Sequence, residues 1–284
     1  MENNKKRVDF LSILLRLLIR LSAACTFGIL IFLVAYILIK GIPHLTPSLF
    51  ALTYSSENVS LFPAMVTTLL MTAISLLVAV PLGVFTSIYL VEYAPRGSRL
   101  VGLIRTTAET LSGIPSIVYG LFGTLFFVTY LHWGYSVLAG AATLSIMILP
   151  LMMRTSEEAL LSVSDSYREA SFGLGAGRLR TVFRIVLPAA VPGVLAGIIL
   201  SIGRIVGETA ALIYTAGTVA QVPKNLFASG RTLAIHMYTL SREGLHTDQA
   251  YATAVVLLLV VLLINAASAA IAKRLTKGST AWTK

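Results

Sequence analysis

The apolar positions of the chain gather into six long runs separated by shorter polar segments: approximately Leu21–Ile39, Phe62–Val91, Leu111–Leu131, Ser136–Met153, Val191–Ala216 and Tyr251–Ala272. A helix needs about 20 apolar residues to cross a hydrocarbon core of about 30 Å, and each run has roughly that reach. The pattern predicts an all-α, polytopic integral membrane protein of six transmembrane helices. The first run follows Lys5, Lys6, Arg7, Arg16 and Arg20 and imitates a secretory signal. It continues past Cys25 to about Ile39, beyond the length of a signal core, so it is expected to be retained as a span. Pro81 and Gly83 predict a bend in the second run. Gly113-Ile114-Pro115-Ser116 interrupts the third, either for close contact between helices or as a broken span facing an internal cavity.

One polar island stands out from this pattern, Ser166–Pro188. Ser166 and Glu169 have the spacing of a capping box, which predicts a short helix starting there. Gly173, Gly175 and Gly177 offer the conformations that end helices. A second helix is expected to follow, with Leu179, Val182, Phe183 and Val186 on one face and Arg178, Arg180 and Arg184 on the other, lying along a headgroup surface until Pro188 closes it. Thr155 and Glu158 form a second possible capping box at the head of this loop.

Composition agrees with a bilayer protein: 56% of the 284 residues are hydrophobic and 12% are charged. The formal charge of +10 is explained by topology. Seventeen of the 22 Lys and Arg fall at the two termini or in the loops Glu92–Thr110 and Arg154–Ala190, whereas Lys40, Lys224, Arg231 and Arg242 fall in the alternate segments. The positive-inside bias predicts cytoplasmic termini and a cytoplasmic polar island, and the basic charge needs no nucleic acid. The outer segment Gly217–Ala250 is expected to hold a helix near Thr232–Leu240, as a cover over the bundle or as a surface for an external partner.

Arg204 and Glu208 are the full charges well inside a predicted span. Each costs about 2.5 to 3.5 kcal/mol at a helix centre, so the pair needs a partner, a watery cavity or a task. In a continuous helix they share a face with Gly197, Ser201, Ala211 and Thr215. The pair reads either as an ion pair locking helices together or as part of an anion route, guanidinium being suited to phosphate or sulfate oxygens.

The order Glu169-Ala170-Ser171, then Gly175, then Ile185-Val186-Leu187-Pro188 resembles the EAA loop of ABC importer permeases, with Ser171 in place of the usual second alanine. Gly203-Arg204-Ile205-Val206-Gly207-Glu208-Thr209-Ala210, followed by Thr215-Ala216-Gly217, is similar to the signature of phosphate-importer permeases of the PstA type. The same holds for Ile114–Gly123 and Leu149–Leu160, and the resemblance covers roughly Phe62–Ala272. It implies a type I, MetI-like permease bundle with the amino-terminal span and outer loop over residues 1–61, a permease domain over 62–273 with its coupling loop at 154–190, and a tail over 274–284. It further implies that Glu169, Ala170, Ser171, Gly175, Ile185, Leu187 and Pro188 couple to an ATPase, and that Arg204, Glu208, Ser201 and Thr215 line the translocation path. The implied partners are a PstC-like permease forming a heterodimer, PstB-like ATPase subunits and an extracytoplasmic PstS-like phosphate-binding protein, in the cytoplasmic membrane.

No glycine-rich stretch ends in Gly-Lys-Ser/Thr, so ATP hydrolysis is expected on another chain. His44, His132, His236 and His246 are scattered and read as ordinary loop residues, Cys25 stands alone, and neither a metal nor another cofactor is expected. Two rival readings remain open: cargo such as sulfate or molybdate, and a self-contained channel or ion-coupled carrier.

Overall fold

The computed structural model describes the backbone of residues 10–95 and 97–279. Lys5, Lys6, Arg7, Arg96 and Lys284, which enter the charge bias, lie outside the described residues, as do the side chains of Lys273, Arg274 and Lys277. Among the described residues every regular element is helical. The main helices are α1 (Phe10–Gly41), α2 (Phe62–Ile88), α3 (Arg99–Ser112), α4 (Ser116–Gly123), α5 (Val137–Leu161), α6 (Asp165–Gly173), α7 (Arg178–Thr181), α8 (Leu187–Val206), α9 (Ala210–Thr215), α10 (Leu233–Glu243) and α11 (Thr247–Ser279). Among the described residues, five helical stretches have the length and hydropathy to cross a bilayer, and a bent pair makes a sixth crossing when counted as one.

The bundle is centred on α2, α5 and α8. Met71, Ala79, Leu144, Met147, Ile148, Ile205 and Leu212 form its buried centre. Between helices in lipid there is little hydrophobic driving force, so close packing and interhelical hydrogen bonds hold the contact. Gly83 lies against Met152, and Gly140 against Met71 and Ala216, where a Cβ has no room. Across the same seam the Ser75 hydroxyl donates to Ala141 O at 3.2 Å and the Ser87 hydroxyl to Met153 O at 2.7 Å. The first span is peripheral and meets the bundle near its end, where Gly41 closes on Tyr251 and Val255.

Three expected spans are revised. The third does not run from Leu111: Gly113-Ile114-Pro115 breaks the chain, and α3 meets the stretch Ser116–Tyr130 at a bend of 100°. Pro115 accounts for the break, since it disfavours the helical conformation at Ile114 and has no N–H to donate. The amphipathic α3 buries Val101, flanked by Ile104 and Ala108, against Leu90 and Met153. The fourth span continues to Leu161, two turns beyond its predicted end. The fifth stops at Val206, and Gly207-Glu208-Thr209 separates α8 from α9.

Pro188 does not close the polar segment, because α7 runs through a π-helical turn at Val182–Val186 directly into α8. Pro188 has no N–H for a carbonyl four residues back, and the widened turn shifts the ladder ahead of it: the Leu187 N–H donates to Val182 O, five residues away. The segment Gly217–Ala250 forms α10, whose amino terminus is fixed by Thr232 accepting from Ile235 N and by Leu233 N donating to the Thr68 hydroxyl of α2 at 2.9 Å. Gly244 ends it at φ +71. Leu233, Ile235 and Leu240 are fully buried, so this segment covers the bundle. His236 is no ordinary loop histidine: it is buried on α10, edge-on to Tyr54.

Candidate functional site

The polar island folds as a helix–turn–helix whose start differs from the expected one. Ser164, two residues before Ser166, is the residue at the amino-terminal boundary of α6, and its oxygen accepts from Ser166 N at 3.4 Å. Ser166 is already inside the helix, so it forms no capping box with Glu169. Thr155 and Glu158 likewise lie inside α5, where the Thr155 hydroxyl donates to Leu151 O at 2.9 Å and Glu158 pairs with Arg154 at 3.1 Å. A capping box needs a helix start, and α5 is uninterrupted there.

At the other end of α6 the Gly175 N–H donates to Phe172 O and the Ala176 N–H to Ser171 O, closing a tight turn around Gly175 at φ +80. The turn sorts the expected coupling residues by exposure. Glu169, Ala170 and Gly175 are exposed, together with Tyr167, Phe172 and Leu174, the last at 89%. Ser171 is buried, and its hydroxyl meets that of Thr181 at 2.8 Å, pinning α6 to α7. Ile185, Leu187 and Pro188 are half-buried where α7 passes into α8. The second helix of the loop does not present one apolar face to headgroups. Val182 and Val186 are buried against Ile88, Leu160 and Val163, whereas Leu179 and Phe183 are exposed, because the bundle claims one side of that helix.

The second group of residues converges at the two chain breaks. Gly120 of α4 touches Ala211 of α9 so closely that a Cβ would lie 2.8 Å from the Ala211 Cα. The two interrupted spans therefore meet beside their breaks, where Glu208 is buried while Gly113, Pro115 and Gly207 are exposed. Arg204 sits in the last turn of α8, where a cation complements the helix dipole. It lines a cavity of about 620 Å³ shared with Arg105, Glu109, Ser112, Arg154 and Glu157. Arg105 and Glu157 are joined at 2.5 Å.

The expected Arg204–Glu208 ion pair is not formed among the described residues. The reason is the break at Gly207: the i, i+4 relation holds only in a continuous helix. Glu208 instead accepts from Ala211 N at 3.0 Å and caps α9. Ser201 and Thr215 are fully buried and line no described cavity with Arg204. Gly197, one turn from Ser201, packs against Thr155 of α5, and Thr215 donates to Ala211 O at 2.8 Å. The small-residue stripe thus faces protein.

Sequence reading missed the exposed Tyr167, Phe172 and Leu174 and the ion pair between Glu92 and Arg168. The exposed trio was visible as apolar residues inside a polar island. The pair spans 76 positions and had no local signal.

Residues 79–278 match the family described as binding-protein-dependent transport system inner membrane component. The chain is 36% identical over 267 residues to the probable ABC transporter permease protein YqgI of Bacillus subtilis, covering 87% of this chain and 90% of that one. It is 36% identical over 213 residues to the phosphate transport system permease protein PstA 1 of Mycobacterium tuberculosis, covering 74% and 69%. Among solved structures, a chain of a bacterial alginate ABC transporter in complex with alginate pentasaccharide-bound periplasmic protein superposes with a TM-score of 0.66 at 18% identity, over 92% of this chain and 95% of that one. A chain of the inward-facing MetNI methionine ABC transporter gives 0.59 at 20% identity, over 76% and 94%.

Proposed function

The chain belongs to the family of binding-protein-dependent transport system inner membrane components, and from that premise we propose that it is the PstA-type permease subunit of an ATP-driven importer of inorganic phosphate. In this reading it pairs with a homologous permease, one of two ATPase subunits docks on its polar island, and an external phosphate-binding protein delivers the cargo. The observation that carries the reading is the folded loop itself: a short helix ended by Gly175 that displays Glu169 and Ala170 beside bare Tyr167, Phe172 and Leu174. Large apolar side chains rimmed by charge mark a protein interaction surface. The similarity to PstA 1 over most of the chain supports phosphate as the cargo.

Residues 62–273 form the permease unit in this proposal, with both termini and the polar island in the cytoplasm. Arg204 is the cargo-facing charge: the guanidinium lines a cavity and has forked donors suited to phosphate oxygens. Glu208 acts on the same site by holding the start of α9 at the break. Ser201 and Thr215 support the wall of the path through packing. ATP-driven closure of the ATPases displaces α6, and α5 and α8, continuous with the loop, carry the displacement to the cavity at Arg204.

Purification of the chain from native membranes tests the assembly. A second permease, an ATPase and an external receptor are expected to co-purify. Recovery of the chain alone, with self-sufficient phosphate flux, would replace the importer by a channel or carrier. A receptor selective for sulfate or molybdate would keep the importer and change the cargo.

A further inference from the structure

Arg168, one residue before the exposed Glu169, points the opposite way and is nearly enclosed, with a side chain 13% exposed. All five of its N–H donors have partners. Nη2 donates to Glu92 Oε1 at 2.7 Å and to Leu160 O at 2.9 Å, Nη1 to Val163 O at 2.7 Å and to Asp165 Oδ1 at 3.2 Å, and Nε to Glu92 Oε1 at 3.1 Å. Leu160 and Val163 flank the end of α5, where carbonyls have lost their helical partners and attract a cation. Glu92 belongs to the π-helical turn Tyr89–Tyr93 that extends α2, and its side chain is 7% exposed. A single guanidinium thus joins α6, the end of α5 and the end of α2.

The other arm of the loop holds the same turn. The Arg178 guanidinium at the start of α7 lies 5.8 Å from the centroid of the Tyr93 ring. Beneath both, Ile88 of α2 packs with Leu160, Val163, Val182 and Val186. The loop is covalently continuous with α5 and α8 alone, yet both of its arms grasp α2.

We propose that Arg168 is a positioning residue for transport, one that makes α2 move as a body with the ATPase-docking helix. The inference rests on the importer reading above. Breaking a buried, fully hydrogen-bonded ion pair leaves its partner charged and unpaired, so in the wild-type protein α6 cannot shift without taking the end of α2 with it. Loss of the link lets α6 respond to ATP while α2 stays behind. Hydrolysis then continues, but α2, packed on α5 through the bundle centre, no longer moves in concert with the loop.

The test uses the complete complex in proteoliposomes, with phosphate as cargo, and compares wild type with Arg168→Lys and Glu92→Gln. Lysine keeps the charge but has three donors and no fork, and glutamine keeps the volume of the acceptor. Both variants are expected to retain the ATPase on purification and to hydrolyse ATP, while phosphate transported per ATP falls about tenfold or more. Spin labels at Tyr89→Cys on the π-helical turn that extends α2 and Ser166→Cys on α6, in a Cys25→Ser background, give the second readout. In the wild type their separation should be the same in the ATP-bound and nucleotide-free states, and in Arg168→Lys it should change with nucleotide. Unchanged transport per ATP in both variants, or a separation that already changes in the wild type, overturns the proposal. So does loss of ATPase co-purification in both, which would make the pair part of docking. Failure of the wild-type complex itself to take up phosphate with ATP would instead count against the importer reading.

Discussion

Gly120 has no space for a methyl group, because the contacting atoms of Ala211 are backbone and cannot rotate aside. Gly120→Ala should therefore lower stability by about 1 to 3 kcal/mol, read as an earlier thermal transition in detergent. Gly173→Ala, with nothing within 4 Å of the new carbon, should stay within about 0.5 kcal/mol. The contrast checks whether α4 and α9 touch as described. Arg204→Gln should abolish phosphate uptake while membrane assembly persists; normal uptake would remove Arg204 from the path. Glu208→Ala should cost about 1 kcal/mol through the lost cap on α9, and Glu208→Gln, which keeps an oxygen for Ala211 N, less. Both charges stood out in the sequence, because charge inside an apolar run is expensive. Their relation was not, since a fourfold spacing implies contact only if the helix continues, and Gly207-Glu208-Thr209 ends it.

At the scale of the element, the six-run pattern anticipated the bundle, but the ends of its helices depended on contacts that local spacing does not encode. Ser164 and Ser166 are equally good boundary residues by type, and the fold uses the earlier one. Pro188 looked like a terminator, yet a π-helical turn absorbed it. The helix α10 was expected, but not how firmly it is buried. Burial, and the Arg231 guanidinium beside it, push the His236 pKa down from 6.5 to about 3, so the imidazole is neutral when α10 is docked. In the unfolded chain it titrates at its ordinary value and binds the extra proton below it. The stability that depends on neutral His236 is thus fully present above pH 6.5 and is lost as pH falls toward 3. Between pH 6.5 and pH 5 the loss should be about 2 kcal/mol, seen as a falling thermal transition that His236→Asn flattens.

For the whole molecule, the reading requires the α6 loop to face the ATPase side of the membrane. A single cysteine at Glu169, in a Cys25→Ser background, should resist a membrane-impermeant thiol reagent added from outside and react after the membrane is opened. On the proposed importer reading, the broken spans, the cavity at Arg204 and the bare surface around Gly175 form one mechanical path, from an ATPase outside the bilayer to a charge within it. The most direct measurement of that path is accumulation of radiolabelled phosphate by proteoliposomes holding the complete complex, with ATP supplied and then withheld. Accumulation that needs ATP, the ATPase and the external receptor is the expected result. Phosphate flux through this chain without any of them would contradict it.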